Sequence, residues 1–482
     1  MQLQHILLLV SLTSLSSAAE TVLGVAIFHR HGDRTPKATP PANLTDLGYS
    51  EVYDSGTYYR QRYVSSTASH KIQGINADIV KLSQLAVSAP VDNVLQNSAQ
   101  GFLQGLYPGV GPKLGQETLA NKTIIGAPLN GYQLIPVQVA ASGAGSENSA
   151  WLQGSSNCAN AIVSSDNYFS SAEYKSLLNS TTDFYKNLTP TVNGILGAND
   201  MTFKNAYSIF DILNVASIHN ATIPSSSLLT PSTLTQIRTL ADTHEYALAA
   251  NTSDPIRAIS GAVLAAEILQ ALNATLATPQ KAPKLTIQFG AYASFLSFFS
   301  LAALPAVEPD FYGIPDYASA MIFELFTTAT PPTGSAAIDT KDVQVRFLFH
   351  NGTTSNDYDP VAYPLFGNKG AAPEIAWTDF AAGMSKFAVG DQKDWCQACG
   401  NSTSVCASTA PPPAAQDKSG GGSGGVSKPV AGVIGAMVTL AVILGLEALV
   451  LLMAGLRVVK KRKGEPVNAN GGSSGSEDGV KA

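Results

Sequence analysis

Residues 21–37 read TVLGVAIFHRHGDRTPK. The first eight are mostly apolar, with β-branched Thr21, Val22, Val25 and Ile27, as in a strand buried on both faces of a parallel sheet. A polar turn follows, crowding Arg30, His31, Asp33 and Arg34 around Gly32. From Thr45 onward, Leu47, Val52, Gly56, Tyr59 and Tyr63 recur at helical spacing, with Thr45 placed as the N-cap. Strand, charged loop and helix in that order open an α/β fold. The expectation is a mostly parallel core sheet with helices on both faces.

Later segments fit that frame. Ser98–Gly109 reads as the end of a helix. Asp254 is placed to cap a helix carrying Pro255 at its first position, with Ile256, Ile259, Val263, Leu264, Ile268 and Leu272 on one face. Leu285–Phe289 and Val343–Phe349 read as strands, the second followed by an Asn351-Gly352 turn. Residues from about 116 to 250 are rich in Ser, Asn and Thr, with helical stretches at Ser171–Leu188 and Leu229–Ala250. They read as an inserted, mainly helical cap between core segments 20–115 and 251–406.

The chain ends place this unit in a cell. Residues 1–19 have a short apolar stretch, Ile6 to Leu12, and small residues before Glu20, as in a cleaved secretory signal. Residues 407–428 collapse into PPP and GGGSGG, a flexible stalk. Residues 429–456 are long and apolar enough to span a bilayer, with one charge, Glu447. The tail, 457–482, opens with Arg457, Lys460, Lys461, Arg462 and Lys463, which marks it cytoplasmic. The expected topology is a single-pass type I plasma-membrane protein with an extracellular domain over 20–406. Gly432, Gly435 and Gly445 would suit pairing of two such spans in a homodimer.

All nine Asn-x-Ser/Thr sequons, from Asn43 to Asn401, and all four cysteines precede the span. Glycosylation and two disulfides are expected, with three connectivities open. Cys396-x-x-Cys399 has no second such pair and no nearby histidine, so no metal site is expected. The whole chain carries −6, and its tail is basic, so the part before the span is more acidic still. That balance argues against a nucleic-acid partner. Any anion must be met by a local basic pocket.

The turn at 30–34 supplies one. It follows a strand, and open α/β sheets bind ligands at the carboxyl edge. Two guanidinium forks, Arg30 and Arg34, suit the oxygens of a tetrahedral phosphate, with the His31 imidazole facing phosphorus. Gly32 allows close backbone approach. The flanking arginines should lower the pKa of His31 and keep it neutral in acid.

R-H-G-x-R-x-P after an apolar strand resembles the signature of the histidine acid phosphatases, in the phosphoglycerate-mutase-like superfamily. Leu44–Tyr63, GFLQGLYPG, the helix after Asp254 and the WCQACG segment are similar to that family too, and the membrane-anchored layout resembles its fungal-type members. The resemblance implies that His31 becomes phosphorylated while Arg30 and Arg34 hold phosphate or a phosphomonoester, with no cofactor.

Two of the family's features are missing. Its third arginine falls at Val94, four residues before Ser98, with Asn93 adjacent. Its His-Asp pair after the last core strand falls at Tyr292 and Ala293. A positioned general acid contributes about 10²–10⁴ in rate, and an oxyanion-binding donor about 10²–10³. The expectation is therefore phosphate binding with impaired acid phosphatase activity, Tyr292 offering a hydrogen bond to phosphate. The alternative is a catalytically silent ectodomain serving binding or cell-wall contact. A fully active acid phosphatase or phytase would need a replacement acid, Asp33 or a cap residue. His244-Glu245 reads instead as a solvated or packed histidine on a helix, and His350 as structural.

Overall fold

β1 (Thr21–Arg30) is buried along almost its whole length, and its side chains alternate between two cores. Leu23, Ala26 and Phe28 enter one; Val25 and Ile27 enter the other. This double burial is why the segment is a nearly continuous apolar run. The computed structural model describes residues 20–140 and 157–407, apart from 193, 221, 331–333, 335, 355–357 and 404–405. The leader, the span and the tail expected at the chain ends, and the stalk from 408 onward, lie outside the described residues.

The remaining strands are β2 (Leu85–Ala89), β3 (Gln116–Thr118), β4 (Ile124–Gly126), β5 (Gln138–Val139), β6 (Leu285–Gly290), β7 (Ala320–Thr327), β8 (Val343–His350), β9 (Val361–Ala362) and β10 (Glu374–Ala376). The main sheet runs β10-β8-β7-β1-β6-β2-β5, with β9 on β8. Its core β1, β6, β2 and β5 is parallel, and β7 joins β1 antiparallel. β1 and β6 end together, Arg30 opposite Gly290, so their following loops share one edge. The fold is thus the expected α/β type with a mainly parallel core sheet.

Helices α1 (Asp46–Tyr59) and α2 (Asn93–Leu106) cover one face; the Ile259–Ala277 and Tyr292–Leu301 helices cover the other. Thr45 caps α1, its hydroxyl accepting from the Gly48 N–H at 3.0 Å. Asp254 differs from the expectation: its side chain makes no cap bond, and a 3₁₀ turn, Pro255–Ala258, leads into the helix. Pro255–Ala277 is apolar and long enough to cross a membrane by length and composition, but it is mostly buried as the central core helix. The segment from 116 to 250 holds the β3–β4 pair, the edge strand β5 and helices that include Ala206–His219 and Pro231–Ala249. Those two helices share a separate apolar cluster with Tyr174, Tyr185, Met201 and Phe203.

The cysteines pair Cys158–Cys399 and Cys396–Cys406. The CxxC residues therefore bond to different partners and not to each other. Cys158–Cys399 closes a separation of 241 residues, against 10 for the second bridge. A crosslink restricts the unfolded chain more as its loop lengthens. Replacing Cys158 and Cys399 together by Ser should lower stability by about 2–5 kcal/mol. Denaturant unfolding should show a smaller loss when Cys396 and Cys406 are replaced.

Candidate phosphate site

The turn after β1 is held against α1 by two bare backbones. A Cβ on Gly32 would lie 2.2 Å from the Gly48 carbonyl oxygen, and one on Gly48 would lie 2.0 Å from that of Asp33. Neither position tolerates a side chain. Gly32 thus serves the turn's own packing. The clamp is completed by Thr45, whose N–H and hydroxyl donate to the Asp33 carbonyl and carboxylate at 3.1 and 2.5 Å. The Asp33 N–H in turn donates to Glu51 at 2.7 Å.

His31 is fully buried at the end of β1. Its Nδ1 lies 2.8 Å from the Gly32 carbonyl, which can only accept. Nδ1 therefore carries the proton and the lone pair sits on Nε2, as a nucleophile requires. Burial first, then the charges of Arg30 and Arg34, hold its pKa well below the imidazole range. Sequence reasoning assigned that shift to the arginines; desolvation is the larger cause. His29 alternates to the opposite face, packed on Phe102 and Phe289 at 5.1 and 5.2 Å.

Arg30 and Arg34 are both buried, at 4% and 1% exposure. Arg30 donates through Nη1 to the Pro315 carbonyl and lies 4.7 Å from the Tyr317 ring and 5.4 Å from that of Tyr292. Arg34 is chelated by Asp211 of the Ala206–His219 helix, at 2.9 and 3.2 Å, and also donates to Tyr207 at 3.0 Å. Burial opposes the Arg34 charge, but Tyr207 and Asp211 outweigh it and raise its pKa. The Nε of each arginine is buried and has no hydrogen-bond partner among the described residues.

Tyr292 stands where the family histidine falls. Its ring is 5.4 Å from the Arg30 guanidinium, but its hydroxyl donates to Glu245 at 2.7 Å. The expected phosphate contact is engaged elsewhere. Ala293 supplies no acid. Val94 is buried in the first turn of α2, and Asn93 is exposed. Asp33, weighed as a replacement acid, has Oδ2 held between Thr45 and the His219 ring, both at 2.5 Å.

Several neighbours were not singled out from sequence. Lys37 is exposed as a residue, yet its ammonium lies 5.8 and 5.6 Å from the Tyr207 and Tyr292 rings. There desolvation, then repulsion by Arg34, lowers its pKa to about 8. It is a third cation close to the two arginines. His244 is packed among aromatic rings as expected, but Glu245 beside it reaches the site. An adjacent cavity of about 1380 Å³ is lined by Arg238, Asp242, Tyr246, Asp310, Tyr312 and Pro315 among others. Arg30, His31 and Arg34 do not line it.

The profile of the histidine phosphatase superfamily (branch 2) matches residues 40–350. It begins after the RHGDRTP turn, so the match and the motif are separate observations. The chain belongs to this superfamily. Lysosomal acid phosphatase of Xenopus laevis is 25% identical over 391 residues, 77% of this chain and 78% of that protein. Human prostatic acid phosphatase is 25% identical over 331 residues, 64% and 75% respectively. Among solved structures, a Klebsiella phytase superposes with a TM-score of 0.51 at 12% identity, covering 77% of this chain and 95% of that one. The phytase of Citrobacter braakii gives 0.50 at 14% identity, covering 79% and 99%. At these identities the structures share the fold.

Two titrations are expected. In ¹⁵N spectra, His31 should keep the Nδ1–H neutral form below the pH at which an ordinary imidazole protonates. Glu51 is raised to about 7 by burial, against the opposing Asp33 N–H. The folded state thus binds this proton more tightly than the unfolded one. Its stabilisation is full below the ordinary carboxylate range and is lost as pH rises through about 7. Thermal melts should show Glu51→Gln reducing the fall in Tm between about pH 5 and 8.

Proposed function

We propose that the chain is a cell-surface, membrane-anchored glycoprotein that binds phosphate or phosphomonoesters at His31, Arg30 and Arg34, with impaired acid phosphatase activity. The carrying observation is the pair of buried Nε–H donors, without a partner among the described residues, on the arginines either side of a neutral His31. A buried donor without an acceptor costs about 1–3 kcal/mol, and an oxyanion would satisfy it. None of the nine sequon asparagines is buried, which suits the glycoprotein reading.

In the reaction, the His31 Nε2 lone pair attacks phosphorus while the ester P–O bond breaks, and water later cleaves the phosphohistidine. The leaving oxygen needs a proton, and Ala293 offers none. Aryl esters, whose leaving groups need little protonation, should be turned over in preference to alkyl esters. The adjoining cavity carries six carboxylates, among them Glu308, Asp310 and Asp316, against two arginines. That lining disfavours highly anionic polyphosphates.

A catalytically silent binding ectodomain is the second reading, favoured by the Asp211 carboxylate on Arg34. The detergent-solubilised full chain, assayed with p-nitrophenyl phosphate and glycerol phosphate, tests both. Slow aryl turnover lost in His31→Ala, with alkyl turnover lower by about 10²-fold or more, is the expected result. Equal rates on both esters would reveal a replacement acid and overturn the impaired reading. No turnover and no phosphate binding would leave the silent ectodomain.

A further inference from the structure

Arg34 has five N–H groups, and four of them are spoken for. Nη1 donates to Asp211 Oδ2 at 3.2 Å and to the Thr35 carbonyl at 3.0 Å; Nη2 donates to Asp211 Oδ1 at 2.9 Å and to Tyr207 at 3.0 Å. Only Nε–H lacks a partner among the described residues. The Lys37 N–H of the same turn also ends on Asp211, at 2.8 Å. A guanidinium fork plus a backbone N–H is how a protein grips a phosphate. Here a carboxylate from a helix 177 residues away receives all three.

We infer that Asp211 is a built-in competitor for the phosphate subsite, occupying the Arg34 fork so that an anion must displace it. This rests on the phosphate-binding reading and adds the residue that sets the site's affinity. The pair is buried, 1% and 3% exposed, so solvent screens it little and its opposition to an incoming anion is strong. The same helix is pinned to the turn a second time, where His219 meets Asp33 at 2.5 Å. Release of Arg34 by Asp211 therefore leaves the helix attached.

A competitor and a positioning residue make opposite predictions. If Asp211 merely aims Arg34, neutralising it weakens phosphate binding. If it competes, neutralising it strengthens binding, because one negative charge leaves the subsite. Asp211→Asn keeps an acceptor for the Lys37 N–H and removes that charge.

The test is calorimetric titration of the full chain with inorganic phosphate, joined to the KM for p-nitrophenyl phosphate. In Asp211→Asn the phosphate Kd and the KM should fall at least tenfold, and adding Arg34→Gln should erase the gain. Unchanged or weaker binding in Asp211→Asn, while the wild type binds phosphate, would overturn the inference and leave the phosphate reading standing. No binding by folded wild type or variant would overturn both. Where Asp211→Asn does not fold, Asp211→Ser is read in the same titration with the same outcomes.

Discussion

The contact on which the site depends is the meeting of Gly32 and Gly48 without side chains. It brings the turn after β1 within backbone distance of the first turn of α1. From that approach follow the Thr45 bonds to Asp33 and the Glu51 bond to its N–H. The turn is then stiff at its centre, and His31 has its proton fixed on Nδ1 by the Gly32 carbonyl. A methyl group at either glycine would separate the turn from α1 and release these bonds together.

A stiff, buried, cationic turn is unstable unless its charges are met. The sheet cannot meet them, since it is apolar on both faces at β1. The segment from 116 to 250 does so instead. Asp211 and Tyr207 engage Arg34, His219 engages Asp33, and Glu245 takes the Tyr292 hydroxyl beside Arg30. The turn and this segment are thus electrostatically interdependent. His31 has its ring proton on Nδ1 and not on Nε2, as a phosphotransfer histidine would, while the Arg34 fork is directed inward to the protein's own Asp211.

The elements around the turn were legible because their signals are local. β1, β6 and β8 are short apolar runs bounded by turn residues, and Thr45 announces α1 by hydrogen-bonding chemistry confined to four residues. Arg30, His31 and Arg34 were legible through their order along one strand end. Asp211 was not, since nothing in YSIFDILN distinguishes a carboxylate aimed at Arg34 from one facing water. Glu245 was passed over for the same reason: only the packing of its helix shows that it reaches Tyr292. Lys37 stood within the quoted stretch, but its nearness to two tyrosine rings is a tertiary fact. Disulfide pairing is likewise a matter of three-dimensional proximity, on which spacing alone is silent.

The two disulfides bear on how the protein would carry a mechanical load. A pull on the chain beyond Ala407 reaches Cys406 first, crosses to Cys396, follows one turn of helix to Cys399 and crosses again to Cys158. That covalent route ends at the start of the Ala159–Asp166 helix, among the buried residues around Trp395. It contains no sheet hydrogen bond. Tension arriving from the carboxyl side would therefore enter the fold at Cys396, in a helix stitched to Cys158, and not at the strand edge that presents His31.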